Sequence, residues 1–288
     1  MSASTLLGPE HGDTEYPFEQ RDFDTIATMV HAHSGICLSR SKAMLVYSRL
    51  AKRLRALRLS NFAEYVEFIR TDADERTRSI EALTTNHTRF FREKHHFDHF
   101  ESEVRPALVK RLEGGGRVRL WSSASSSGEE PYSLAMVMLG SDSAKANALL
   151  NKDIALLATD LASHALETGE AGSYPAAAAD DIPTQYHRLW LKTDRDGVSM
   201  APGLKKLVRF RRLNLLNPWP IKGQFDAIFC RNVMIYFDEP TKATLIKRLT
   251  DQLVVGGFLY IGHSERIIGE ATDKLIASGQ TIYRKARS

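Results

Sequence analysis

Arg119-Leu-Trp-Ser-Ser-Ala-Ser-Ser-Ser-Gly-Glu-Glu-Pro-Tyr-Ser133 decides how this chain is read. Its apolar start, Val118 to Trp121, has the composition of a buried strand. Six small residues carry the chain to Gly128, and Glu129-Glu130-Pro131 opens a helical pattern. A strand, a tight small-residue bend and a helix form the first unit of a Rossmann-like, doubly wound α/β sheet. Small side chains let a ligand lie against backbone N–H groups. The Gly-x-Gly-x-x-Gly pattern is absent, and two carboxylates stand at the helix start. They disfavour a pyrophosphate and favour ribose hydroxyls or a cation. A positively charged nucleoside such as S-adenosylmethionine therefore fits the bend better than NAD. A plain strand–helix turn that holds no ligand is the alternative.

The 288 residues allow one large domain or two moderate ones. No apolar run approaches the roughly 20 residues of a membrane-spanning helix. The first sixteen residues lack the apolar core of a signal peptide and read as a disordered tail. Only Cys37 and Cys230 occur, both within apolar patterns, so no disulfide framework is expected and a reducing cytoplasm is the default.

Residues 17–85 read as an all-α domain. Phe23, Ile26, Ala27 and Val30 repeat at helical spacing up to Gly35. Leu50, Leu54 and Leu57 stripe a second helix from about Ser41 to Leu59. Ser60 is the expected N-cap of a third helix, and a fourth runs from about Asp74 to Leu83. Residues 86–116 form a connector and a long helix, interrupted near Pro106. His95-His96 point to different sides of that helix and have no carboxylate or thiol cluster with them, so structural roles are expected and no metal.

The α/β domain is expected over 117–288. Ile154 to Asp160 is an apolar strand ending in an acid, where such folds hold ribose hydroxyls; Asp160 also suits an N-cap. Residues 174–213 break the rhythm and read as an inserted antiparallel β-subdomain, with the basic run Leu207–Leu213 as its last strand. Phe225–Cys230 and Phe258–Ile261 are further strands, and Thr281–Tyr283 completes the sheet.

Several blocks in one order carry a resemblance. They are Leu83-Thr-Thr-Asn86-x-Thr88-x-Phe-Phe-Arg92, Trp121-Ser-x-Ala124-x-Ser-x-Gly-Glu-Glu130-Pro-Tyr-Ser, Ala158-Thr-Asp160, Asn214-Leu215-Leu216 and Phe225-Asp-Ala-Ile-Phe-Cys-Arg231-Asn232-Val-Met-Ile-Tyr236-Phe. Together they resemble the bacterial chemotaxis receptor methyltransferases of CheR type, from about residue 20 to 285. The resemblance implies an S-adenosylmethionine-dependent enzyme that methyl-esterifies receptor glutamates and releases S-adenosylhomocysteine. It implies that Asn86, Thr88, Arg92, Ala124, Glu130, Asp160, Asn214, Leu215, Arg231 and Asn232 line the cofactor site. Arg92 and Tyr236 are then the catalytic candidates, nearest the transferred methyl. The chemistry suits these residue types. A glutamate is already ionised at neutral pH, so placement and desolvation are needed rather than a base or a metal.

From Arg40 to Arg58 there are seven basic residues (Arg40, Lys42, Arg49, Lys52, Arg53, Arg55, Arg58) and no acidic one. This helix is the expected docking face for the acidic cytoplasmic helices of chemoreceptors; a solvated face is the alternative. The run matches no nucleic-acid module. Nothing in the sequence demands a dimer, and a monomer with no membrane insertion is expected. Relatives that tether to a receptor's C-terminal peptide carry a longer, Gly-containing loop in the β-subdomain. The turn Lys192-Thr-Asp-Arg-Asp-Gly197 is short, which argues against tethering. Two competing functions are a scaffold that binds without transferring and a nucleic-acid methyltransferase. Asn217-Pro-Trp-Pro220 only echoes the Asn/Asp-Pro-Pro-Tyr type motif of the latter and lies before, not after, the strand Phe225–Cys230.

Overall fold

The computed structural model describes residues 15–84, 87–193, 195 and 197–286, so most of the expected tail lies outside it. Two compact units are present. One comprises Met1–Thr85 with Tyr236–Asp238, the other Asn86–Ile235 with Glu239–Ser288.

The first unit is helical: α1 (Gln20–Ser34), α2 (Ala43–Leu57), α3 (Phe62–Thr71) and α4 (Ala73–Leu83). Phe23, Ile26 and Val30 of α1 are buried at helical spacing, and Gly35 closes the helix at φ 70°. Val46, Leu50 and Leu54 form the buried stripe of α2. Each such side chain contributes about 1.5–3 kcal/mol through burial. The cap of α3 is Asn61 rather than the expected Ser60: Asn61 Oδ1 accepts Glu64 N–H at 2.9 Å. Cys37 is exposed, against the apolar surroundings expected for it, and its N–H donates to Tyr236 O at 2.8 Å. His31, Cys37 and Asp238 bring three ligand-type atoms within 4.8 Å of one another. His31 Nε2 and Asp238 already pair at 2.9 Å on an open surface, so the group reads as a surface ion pair.

The second unit begins with an interrupted helix. It runs as α5 (His95–His99), a π turn (Phe100–Val104) and α6 (Arg105–Glu113). The π turn stands directly before Pro106, whose missing N–H the normal ladder cannot use. His96 is buried, with Nε2 2.9 Å from Thr281 Oγ1, a structural role as expected. The alternation continues as β1 (Val118–Ser123), α7 (Glu129–Leu139), α8 (Ser143–Leu150), β2 (Ile154–Asp160) and α9 (Ser163–Ala171). Then come β3 (Ser173–Tyr174), α10 (Thr184–Trp190), β4 (Leu191–Thr193), β5 (Val198–Met200), α11 (Pro202–Leu207) and β6 (Val208–Arg212). The chain closes with β7 (Phe225–Cys230), α12 (Glu239–Asp251), β8 (Leu253–Ile261), β9 (Leu275–Gly279) and β10 (Ile282–Lys285).

The large sheet has the order β6-β2-β1-β7-β8-β10-β9. Strands β6, β2, β1, β7 and β8 are parallel; β10 runs antiparallel to β8 and β9. The chain leaves β1 towards β2 and β6, then returns to β7 on the other side. That reversal is the switch point at which doubly wound sheets open a crevice, beyond the carboxyl ends of the strands. Nine of the eleven residues of α7 are buried, which explains its near-continuous apolar sequence. It packs on β1, β2 and β6 beneath the α5–α6 segment.

The inserted sheet is smaller than expected. Only β3, β5 and β4 form it, in that order and antiparallel. The basic run expected as its last strand is instead β6, an edge of the large sheet, with Leu156 opposite Val208 and Asp160 opposite Arg212. Val208 and Phe210 are buried while Arg209 and Arg211 are exposed. Charges on the outer side of an edge strand discourage pairing with another chain. Strand β9 carries no strong periodic signal and escaped the sequence reading.

The basic helix is also less free than its sequence suggests, because counter-charges arrive from elsewhere in the first unit. Arg53 forms a two-pronged pair with Glu75, at 2.8 and 2.6 Å, and Tyr65 Oη donates to the same carboxylate. Arg49 donates to the Leu83 and Thr84 carbonyls at the end of α4, a favourable place for a cation. Arg55 pairs with Glu15. Among the described residues, Lys42, Lys52 and Arg58 form no ion pair. Glu75 is 3% exposed, so its removal strands a guanidinium and a tyrosine hydroxyl. Glu75→Ala is expected to cost about 3 kcal/mol of stability in denaturant unfolding, whereas Lys52→Glu changes it by less than about 0.5 kcal/mol. Equal effects of the two would contradict the anchoring role of Arg53–Glu75.

Candidate active site

Beyond Ser123 the backbone makes a bend that few residue types tolerate. Ala124 and Ser126 sit at φ 59° and 50°, and Gly128 at 99°. Left-handed non-glycine residues cost roughly 1 kcal/mol each, so the surroundings must hold them. Ser125 N–H donates to Thr159 O at 2.8 Å, and Ser126 N–H to Asp160 Oδ2 at 2.8 Å. A Cβ on Gly128 would lie 2.9 Å from Tyr174 Oη and 3.0 Å from Gly169 Cα, so glycine is required there. Asp160 therefore ties the bend after β1 to the tip of β2. Its Oδ1 also accepts Ala162 N–H at 2.9 Å at the start of α9. Burial pushes this carboxyl up, against the pull of those amides. Each oxygen keeps a lone pair for a further donor.

A second group gathers at the tips of β1, β7 and β8. Arg231, its side chain 2% exposed, lies 3.0 Å from Glu130 Oε2 and 3.2 Å from Glu93 Oε2. It also donates to the Arg92 carbonyl and stacks 5.7 Å from the Phe97 ring centre. Glu130 Oε1 accepts Ser122 Oγ–H at 2.7 Å. Glu93 Oε1 accepts Asn232 Nδ2–H at 3.2 Å and lies 3.0 Å from His263 Nδ1. Burial opposes ionisation of Glu93. The Arg231 charge and the His263 and Asn232 hydrogen bonds outweigh it and hold the carboxyl down at about 2. Burial acts on Glu130 too, and there it prevails over Arg231, pushing the carboxyl up. His96 is held down at about 3 by burial and then by Arg231, so it stays neutral.

Of the residues expected at the site, Arg92, Glu130, Arg231 and Asn232 are joined in this network. Ala124 and Asp160 meet through Ser126. Asn214 and Leu215 follow β6, just after Leu213 donates to Asp160 O at 2.9 Å. Asn214 Oδ1 accepts Leu216 N–H, and Leu215 O accepts Arg248 and Trp219 donors. Thr88 is half-buried. Arg92 donates from its side chain to His87 O at 2.9 Å. Asn86 lies outside the described residues. Tyr236 belongs to the helical unit. Sequence reasoning missed Glu93, Ser122, His263 and Glu265. Glu93 directly follows Arg92, and Gly262-His-Ser-Glu265 stands at the carboxyl end of β8, so position alone could have flagged them.

The electrostatics select a ligand. Glu93, Glu130, Asp160 and Glu265 outnumber Arg231 and Arg212 at these strand tips, and adding Arg92 still leaves the acids in excess by one. An anionic cofactor would be repelled; a cationic nucleoside would not. Ser125 Oγ is buried beside the bend without a hydrogen-bond partner among the described residues. These features fit a sulfonium nucleoside.

Comparison with known proteins agrees. Residues 86–284 match the description "CheR methyltransferase, SAM binding domain", and residues 21–84 match "CheR methyltransferase, all-alpha domain". The chain belongs to the CheR methyltransferase family. It is 44% identical over 262 residues to a probable chemotaxis protein methyltransferase of Rhizobium etli, covering 89% of this chain and 96% of that one. It is 38% identical over 283 residues to chemotaxis protein methyltransferase 2 of Pseudomonas aeruginosa, covering 96% and 98%. S-adenosylmethionine is thus the cofactor of this CheR-family chain, and its second unit is a methyltransferase fold of Rossmann-like type.

Glu93 has a folded-state value below its unfolded value of 4.5. Its charge therefore contributes stability that is complete above about pH 4.5 and is lost as pH falls towards 2. Wild type should exceed Glu93→Gln by about 2–3 kcal/mol at neutral pH. That margin should shrink through this window in thermal unfolding. A margin independent of pH there would contradict the Arg231–Glu93 pairing.

Proposed function

We propose that this chain transfers a methyl group from S-adenosylmethionine to glutamate side-chain carboxylates of chemoreceptors, forming methyl esters. The observation that carries the reading is the carboxylate-rich, solvent-shielded set of strand tips within a CheR cofactor-binding domain. Bound there, the cofactor supplies a methyl group already activated on a sulfonium sulfur. The acceptor carboxylate is ionised at neutral pH and needs no base.

The residues divide the remaining work. Asp160 and the bend at Ala124 offer an acceptor and close backbone approach for a nucleoside. Glu130, Asn214, Leu215, Arg231 and Asn232 complete the wall on the neighbouring tips, with Asn86 and Thr88 assigned to it by their motif. Arg92 holds an anionic carboxylate, the cofactor's or the substrate's, by charge-assisted hydrogen bonds. Tyr236 is assigned beside the transferred methyl from its motif alone. Product S-adenosylhomocysteine has lost the positive charge, so these acids favour it less than the substrate.

On the helical unit, Lys42, Lys52 and Arg58 are the basic residues of the Arg40–Arg58 stretch left for an acidic receptor helix. Methylation in the cytoplasm, without membrane insertion, is part of this reading. Strands β4 and β5 are separated in sequence by only residues 194–197, of which 194 and 196 lie outside the described residues; so short a connection supports action without a receptor tail peptide.

Radiolabelled methyl transfer to a receptor cytoplasmic fragment should give a product that releases methanol in alkali. An alkali-stable product would rule out an ester. Arg92→Ala should lower kcat about 100-fold. Unchanged turnover in that variant would remove Arg92 from the mechanism. Lys52→Glu with Arg58→Glu should raise the receptor KM about tenfold, more at low salt, and leave S-adenosylhomocysteine affinity unaltered. Equal loss of both would indicate misfolding. A receptor tail peptide should give no heat on titration; clear binding would restore tethering.

A further inference from the structure

Past the tip of β8 a buried carboxylate has no basic partner among the described residues. Glu265 is 6% exposed. The backbone N–H groups it accepts include those of Gly262 at 2.6 Å, Met234 at 2.8 Å and Asn232 at 3.1 Å. Two of these donors belong to the loop after β7, and one to the tip of β8. Asn232 stands at φ 58°, a conformation that costs energy unless its neighbours impose it. The strand tips are pressed together around this carboxylate. A Cβ on Gly262 would lie 2.5 Å from Asn232 Nδ2, 2.8 Å from Asn232 N and 2.9 Å from Glu265 Oε2. Residue 262 therefore needs glycine because of crowding, not because of its own backbone angle. The far end of Asn232 is held as well, by its Nδ2–H to Glu93 Oε1 at 3.2 Å.

A carboxylate is suited to this position. These converging N–H donors call for an acceptor with two oxygens and no hydrogen of its own. A glutamine would keep one carbonyl oxygen and turn an NH2 towards amides that also donate. A neutral side chain would leave buried N–H groups unpaired, at about 1–3 kcal/mol each.

We propose that Glu265 is a positioning residue for the cofactor site. It locks Asn232 in the left-handed conformation and so presets Arg231 and Asn232 for S-adenosylmethionine. This rests on the reading that both residues line that site. Glu265 itself touches no reacting group; it acts through the loop it holds.

The test uses the full chain and calorimetry with S-adenosylhomocysteine. Glu265→Gln should raise Kd at least about tenfold while the fraction of binding-competent protein stays at the wild-type level. The KM for S-adenosylmethionine should rise, and the receptor KM should not. A merely structural role moves different quantities: the competent fraction falls and Kd is unchanged in what remains. Gly262→Ala crowds the same three atoms from the other side and should raise Kd likewise. It serves as the deciding variant if Glu265→Gln does not fold. Wild-type binding with an unaltered Kd in the folded variant overturns this inference alone. A wild-type chain without affinity for S-adenosylhomocysteine overturns the cofactor reading and this inference with it.

Discussion

A single buried guanidinium organises the methyltransferase unit. Arg231 sits at the tip of β7 with its side chain almost sealed from water. Removing an arginine from water costs several kcal/mol unless its charge and its donors are met. Here Glu93 and Glu130 flank it, the Arg92 carbonyl accepts from it and Phe97 offers a ring face. Those partners come from the segment before α5, from α5 itself and from the first turn of α7. Pairing this one charge therefore fixes the segment around α5, the start of α7 and the tip of β7 against one another at the switch point of the sheet.

The same economy of charge explains the ligand preference. Acids needed to neutralise Arg231, to hold the bend after β1 and to hold the loop after β7 all converge on the strand tips. Their sum exceeds the local positive charge. A site built this way is poor for phosphates and good for a sulfonium. The absence of a glycine-rich phosphate loop follows from the same fact, since the helix start carries Glu129 and Glu130 where a pyrophosphate would lie. The carboxylates offset the positive end of the helix dipole there and suit a ligand that offers hydroxyls and a cation.

The helical unit shows the opposite case, in which charges that look available are already engaged. Arg49, Arg53 and Arg55 find helix-end carbonyls or carboxylates outside their own helix. What a basic run presents to a partner is therefore smaller than its count of basic residues. In the second unit, the basic run 207–213 is likewise occupied with a structural duty, as the charged outer edge of the large sheet.

The sequence by itself determined the local units. Apolar periodicity marked the helices, small residues marked the bend, and the ordered motifs marked the family. These signals depend on neighbours within a few turns of chain, so they can be read without a fold. The tertiary structure alone decided which strand joined which sheet and which charges met. Val208–Arg212 alternates as an edge strand would in either sheet, and only its register against β2 distinguishes the two. Glu93 and Asn232 lie 139 residues apart, and Arg53 and Glu75 22 apart. No local pattern encodes such pairs, because a buried charge chooses its partner by what the packed core brings within about 3 Å.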